Sequence, residues 1–114
     1  MRAIIDIAKA GHIADAAKAD LAAGGNSDYI LSFESARSLF SEITPSRLDL
    51  LDVLARVGPC SIYALAKEAQ RNYSNVHGDA NRLIDLGLIE RTEDDLVFVP
   101  FDAIEIRMSL AHAA

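Results

Sequence analysis

Residues 44–51 read Thr44-Pro45-Ser46-Arg47-Leu48-Asp49-Leu50-Leu51, and the fold is decided by how this stretch continues. Thr44 has the side-chain oxygen of a helix N-cap, and Pro45 falls at the first helical position, where a missing amide hydrogen costs nothing. Leu48, Leu51, Leu54 and Ala55 then form an apolar stripe, with Asp49, Asp52 and Arg56 on the opposite face, until Gly58-Pro59 ends the helix. Ser61 caps a second helix whose inward positions Ile62, Leu65, Ala66 and Ala69 are small enough for a close helix crossing. Gln70 to Tyr73 is a turn, and a third helix beginning near Ser74 buries Val76, Ala80, Leu83, Ile84 and Gly87 along one face. Leu88 to Arg91 and Leu96 to Pro100 are strand-like runs joined by the polar Thr92-Glu93-Asp94-Asp95, which makes them a hairpin. Three helices and a hairpin in this order, over residues 44–100, are a winged helix-turn-helix, an architecture that lays one helix in the major groove of duplex DNA.

On the N-terminal side, Arg2 to Ala8 is rich in isoleucine and Tyr29 to Phe33 in aromatic and branched residues. The alanine-rich Gly11 to Ala23 between them stops at Gly24-Gly25-Asn26, giving the pattern strand, helix, turn, strand. Ala36, Leu39, Phe40 and Ile43 follow the spacing of a short amphipathic helix. On the C-terminal side Ile104, Ile106 and Met108 alternate with Glu105 and Arg107, so a last strand is expected, available to a dimer contact. The predicted class is therefore α+β. A strand-helix-strand-helix extension (1–43) supplies a dimer or partner surface, the winged helix-turn-helix (44–100) binds DNA, and a C-terminal strand and tail (101–114) complete the chain.

A length of 114 residues suffices for a self-supporting core in one domain with a short extension. The single Cys60 has no partner for a disulfide, which suits a reducing cytoplasm, and Gly58-Pro59-Cys60-Ser61 reads as a turn with an inert thiol. No stretch approaches the apolar length of a membrane span, and Met1-Arg2-Ala3-Ile4-Ile5-Asp6 lacks a signal peptide's uninterrupted apolar region, so a cytoplasmic protein is expected. The net charge of −6 counts against nonspecific, charge-driven binding to nucleic acid. Its distribution softens that objection. From Thr44 to Thr92, Arg47, Arg56, Lys67, Arg71, Arg82 and Arg91 balance Asp49, Asp52, Glu68, Asp79, Asp85 and Glu90, whereas Glu93, Asp94, Asp95, Asp102 and Glu105 face only Arg107.

The outward face of the third helix carries Ser74, Asn75, Gly78, Asn81, Arg82 and Asp85, short polar groups early and a guanidinium later, as base edges and phosphates require. Asn75 and Arg82 are the leading candidates for base contacts. Gly78 is costly in mid-helix; it either allows a DNA backbone or base to approach closely or has drifted in at a tolerant surface position. Arg71, Asn72 and Tyr73 enter the helix where amide hydrogens point outward; they either clamp a phosphate, or Arg71 pairs with Asp79 and braces the turn. Arg91 is the one cation the wing offers beside an acidic tip, so either the wing stays off the phosphates or the tip faces a basic protein partner. His77, His12 and His112 have no Cys or carboxylate at ligand spacing, so no metal is expected. Nor is there a phosphate loop, a nucleophile elbow or an isolated carboxylate pair, which predicts a non-enzyme without cofactor.

Leu31-Ser32-Phe33-Glu34-Ser35, Thr44 to Leu48, Gly58 to Ile62, Arg71-Asn72-Tyr73-Ser74-Asn75-Val76-His77, Asp79, and Leu86-Gly87-Leu88-Ile89 through Ile104 together resemble one family. It is that of the MarR-like winged-helix antitoxins encoded beside a small TumE-type toxin presumed to be an RNase. The likeness covers residues 31–106, most specifically Arg71 to Asp79. It implies a homodimer that binds its own promoter, represses the operon and neutralises the cognate toxin by direct contact. The family's DNA-reading positions fall on Tyr73, Ser74, Asn75, His77 and Arg82, with Gly78 where a longer, often basic side chain is more usual. Two alternatives stay open: a stand-alone ligand-responsive regulator of MarR or ArsR type, and a winged helix used purely for protein contact.

Overall fold

In the computed structural model residues 1–8 and 28–110 are described; the predicted helix at 11–23, the turn at 24–26, His12 and His112 lie outside the described residues. The elements run β1 (Arg2–Ile7), β2 (Tyr29–Phe33), α1 (Ala36–Glu42), α2 (Pro45–Val57), α3 (Ile62–Ala69), α4 (Tyr73–Asp85), β3 (Glu90–Arg91), β4 (Val97–Phe98) and β5 (Ala103–Arg107). They form two units, Met1–Glu42 with Ala103–Ala114, and Ile43–Asp102. The fold is α+β, and the second unit is a winged helix-turn-helix.

In the first unit all three strands are parallel, in the order β2-β1-β5. Central β1 buries Ala3, Ile4 and Ile5 in succession, as a strand covered on both faces does. Ile5 stands in register with Leu31 on one side and Ile106 on the other, making an apolar row across the sheet. The opposite face is tied by polar contacts. Arg2 bonds Asp28 and Glu105, and Ser32 Oγ donates to Asp6 at 2.6 Å. Hydrogen bonds from Arg2 hold the Asp28 carboxyl below its usual range. The last strand, expected as a separate C-terminal piece, is thus the third strand of the N-terminal sheet. Ser35 caps α1, accepting the Ser38 N–H at 3.1 Å, and α1 packs on β1 and β2 with Leu39 buried. Phe40, predicted on its apolar face, is instead 53% exposed, because a seven-residue helix turns only a narrow stripe inward.

The second unit follows its caps. Thr44 Oγ1 accepts the Arg47 N–H at 3.2 Å, Ser61 Oγ that of Ala64 at 3.0 Å, and both helices start where predicted. The α2 stripe is Leu50, Leu51 and Leu54, with Leu48 half-buried and Ala55 exposed, so the buried face is rotated towards Leu50 from the predicted one. Helices α3 and α4 end alike: the Arg71 N–H reaches Ala66 O at 3.1 Å and the Leu88 N–H reaches Leu83 O at 2.9 Å, each over a left-handed residue. At α4 that residue is Gly87, but at α3 it is Gln70 (φ 54°), an L side chain in a backbone region that favours glycine. The second closure consumes Leu88 and Ile89, which shortens the wing strands to Glu90–Arg91 and Val97–Phe98. Cys60 adds a bridge to Val97 on this hairpin, with hydrogen bonds of 3.1 and 2.7 Å, so Gly58 to Ser61 supplies a rudimentary third wing strand as well as a turn. Its thiol is half-buried, and burial together with Glu68 pushes its pKa up.

Candidate nucleic-acid interface

Helix α4 presents the predicted contact residues. Asn72 caps it, its side-chain oxygen accepting the Asn75 N–H at 3.3 Å, while Val76, Ala80 and Leu83 are buried. Tyr73, Ser74, Asn75, His77 and Gly78 are consequently exposed, with Asn81 and Arg82 half-buried. The Gly78 backbone faces open space: nothing lies within 4 Å of where a Cβ would stand. Among the described residues no contact therefore demands glycine there, although it costs the helix about 1 kcal/mol relative to alanine. Arg82 is 42% exposed at its side chain and lies 4.0 Å from Asp85.

Of the two roles predicted for Arg71, the structure shows the brace. Arg71 Nη2 donates to Asp79 Oδ2 at 2.7 Å and Arg47 Nε to Asp79 Oδ1 at 3.1 Å, so one carboxylate joins the start of α2, the helix-turn-helix turn and α4. Partial burial alone would raise the Asp79 carboxyl, but these hydrogen bonds outweigh it and hold the group below its usual range. A phosphate clamp by Arg71 would have to use the N–H groups that this pair leaves over, or break it. Sequence spacing showed Asp79 as a partner for Arg71; nothing local marked Arg47 as the second.

A chain of contacts joins α4 to the wing. The Asn81 amide lies 3.3 Å from His77 Nδ1, Arg91 Nη2 donates to Asn81 Oδ1 at 3.1 Å, and Arg91 Nε stands 3.4 Å from Asp95 Oδ1. The acidic tip thus has one intramolecular task, positioning Arg91 beside α4. Asp95 itself is left-handed (φ 62°), and Thr92 closes the tip by accepting the Leu96 N–H on Oγ1 at 3.1 Å.

Beside this chain runs an exposed aromatic row that sequence reasoning missed in part. The Tyr63 and Tyr73 rings lie 6.3 Å apart, Tyr73 and His77 5.6 Å, and Lys67 Nζ sits 5.6 Å from the Tyr63 ring. Tyr63 is 63% exposed, and the signal for it was present: between the inward Ile62 and Leu65, position 63 must face out. Ser61, Ile62, Tyr63, Tyr73, His77, Arg91 and Asp95 line an open cleft of about 310 Å³. Short polar groups suit base edges, whereas a cleft of tyrosines with Arg91 suits a sugar–phosphate strand. Among the described residues no three His, Cys, Asp or Glu side chains group as a metal site, and no helix is long and apolar enough to cross a membrane.

A family model, HVO_A0114, matches residues 42–106, more than half of the chain. No curated protein matches it. Among solved structures, the chain is similar to the solution structure of a homodimeric winged helix-turn-helix DNA-binding domain from Mycobacterium bovis, described as a possible ArsR-family transcriptional regulator. The identity is 21%, over 59% of this chain and 73% of that one, with a TM-score of 0.45.

Proposed function

The chain belongs to the HVO_A0114 family, and from that premise and the geometry of α4 we propose that it is a sequence-specific DNA-binding transcriptional regulator acting as a homodimer. The observation that carries the reading is the exposed half-face of α4. Ser74, Asn75, His77 and Gly78 stand open to solvent on a helix held by two others and a wing, and carry the short polar groups that base edges need. In this reading α4 enters the major groove, with Arg82 supporting it one to two turns on and the Tyr63–Tyr73 cleft taking the adjacent backbone strand. The protein acts by binding alone, without metal, cofactor or catalytic step.

The resemblance of residues 31–106 to MarR-like antitoxins supports the finer proposal that the chain represses its own operon and neutralises a TumE-type toxin by contact. The acidic residues Glu93 and Asp94, both exposed at the wing tip, offer a surface for a basic partner. Fluorescence anisotropy on a duplex from upstream of the gene, against a scrambled duplex at several salt concentrations, tests the first proposal. Preferential, salt-sensitive binding supports a sequence-specific regulator. Equal or absent binding moves the weight to protein contact alone. Co-purification with the product of the neighbouring gene tests the second.

A further inference from the structure

Strand β5 pairs with β1 on one side and, among the described residues, with no strand on the other. Such an edge invites another chain, and natural proteins blunt it with proline, lysine or a bulge. None is present here: residues 103–110 read Ala-Ile-Glu-Ile-Arg-Met-Ser-Leu. Ile106, Met108 and Leu110 are 41%, 57% and 69% exposed, and their spacing of two puts them on one face of an extended chain.

We propose that this edge is where two copies of the chain meet, β5 against antiparallel β5, in the register that sets Ile106 opposite Ile106 of the second copy. The charges select both the occupant and the register. With Ile106 on the two-fold axis, Glu105 of each copy lies opposite Arg107 of the other, and Ile104 lies opposite Met108. Sliding one strand by two residues sets Glu105 against Glu105 or Arg107 against Arg107. Sliding by one sets Ile106 against a charge. The strand is therefore complementary to itself on both faces in a single register. Within one chain the same charges already bond, Arg107 Nη2 donating to Glu105 Oε1 at 3.1 Å, so pairing re-routes an existing contact. On the apolar face, the row Leu31, Ile5, Ile106 would run on without a break into Ile106, Ile5 and Leu31 of the second copy. The result is one continuous six-stranded sheet.

The inference rests on the dimeric reading above, and its test separates the two. In the full chain carrying Cys60→Ser, Ile106→Cys should give a covalent dimer on mild oxidation, because opposed antiparallel residues have Cα atoms about 4.5–5.5 Å apart, within disulfide reach. Ile104→Cys should not, since equivalent positions then lie four residues apart, about 13 Å. By sedimentation, Arg107→Glu, which leaves the Arg2–Glu105 bond in place, should give monomers. A wild-type dimer that fails to link through Ile106→Cys, or links equally through Ile104→Cys, overturns the edge and leaves the dimer standing. A monomeric wild type overturns both, and the anisotropy assay reads DNA binding independently of either.

Discussion

Replacing Gly78 by alanine should make the protein more stable and a poorer DNA binder. Glycine in a helix interior is about 0.8–1.0 kcal/mol less favourable than alanine, and at this position the added methyl enters open space, so the full gain should be realised. For a chain of this size that is a rise in melting temperature on the order of 4 °C. If α4 lies in the major groove, the same methyl projects from the exposed face between Ser74 and Arg82 towards the duplex. Overpacking a close-fitted contact costs roughly 1–3 kcal/mol, or about a 5- to 150-fold loss of affinity. Thermal unfolding followed by circular dichroism and anisotropy on the operator duplex measure the two effects on one preparation. A variant that is more stable and binds as tightly as wild type would remove Gly78 from the interface. One that is no more stable would refute the reasoning about the helix itself.

Gln70→Gly relieves a left-handed L residue and should stabilise the protein by about 0.5–1 kcal/mol in urea unfolding; a loss of stability would show that the Gln70 side chain carries a compensating contact. Asp79→Asn should cost about 1–2 kcal/mol, the lower part of the range for hydrogen bonds to a charged group because the pair is partly screened by solvent. Since the folded carboxyl titrates below its ordinary value of 3.8, its contribution is complete above that pH and fades as pH falls through the lower, folded value. Wild type should therefore lose part of its advantage over Asp79→Asn in strong acid, and a constant difference across that range would contradict the assignment. Arg82→Ala should weaken operator binding by about 1–3 kcal/mol while leaving scrambled duplex less affected; equal binding by both proteins would exclude the contact. With Lys67, Arg82 and Arg91 as the cations beside α4 and the wing of each protomer, the slope of log K against log salt for a dimer should be no steeper than about −5, and a much steeper one would mean that cations away from this face, such as Arg37, Arg47, Arg56 or Arg71, reach the backbone as well.

The winged helix-turn-helix was legible because its signals are local. Thr44-Pro45, Ser61 and Gly58 each act within a turn of their own position and do in the structure what their residue types predict, whereas Gly87, expected on the buried face of the third helix, is half-buried past its end as the left-handed residue that closes it. The parallel sheet was not legible in the same way. Arg2 pairs with Ala103, and no short-range pattern in an isoleucine-rich strand announces a partner a hundred residues on. Phe40, Leu50 and Ala55 show the limit of periodicity: a helical repeat gives the width of an apolar stripe but leaves its rotation to whatever packs against it. In the site, the Arg71–Asp79 pair was one of two readings the sequence offered, but Arg47 as the second partner of Asp79 and Asp95 as the partner of Arg91 were not, because a guanidinium finds a carboxylate in three dimensions rather than along the sequence.

The pairing of β1 with β5 also sets the order of events at synthesis. Strands β1 and β2 leave the ribosome well before β5, so the central strand waits for one of its two neighbours until Arg107 has been made. Ile43–Asp102, a compact unit in itself, is complete before β5 emerges. The nascent chain thus carries a buried-type apolar strand, Ala3-Ile4-Ile5, with one side open until β5 has emerged. Any stall or cleavage before Ala103 leaves that side open for good, a form prone to aggregation and to proteolysis.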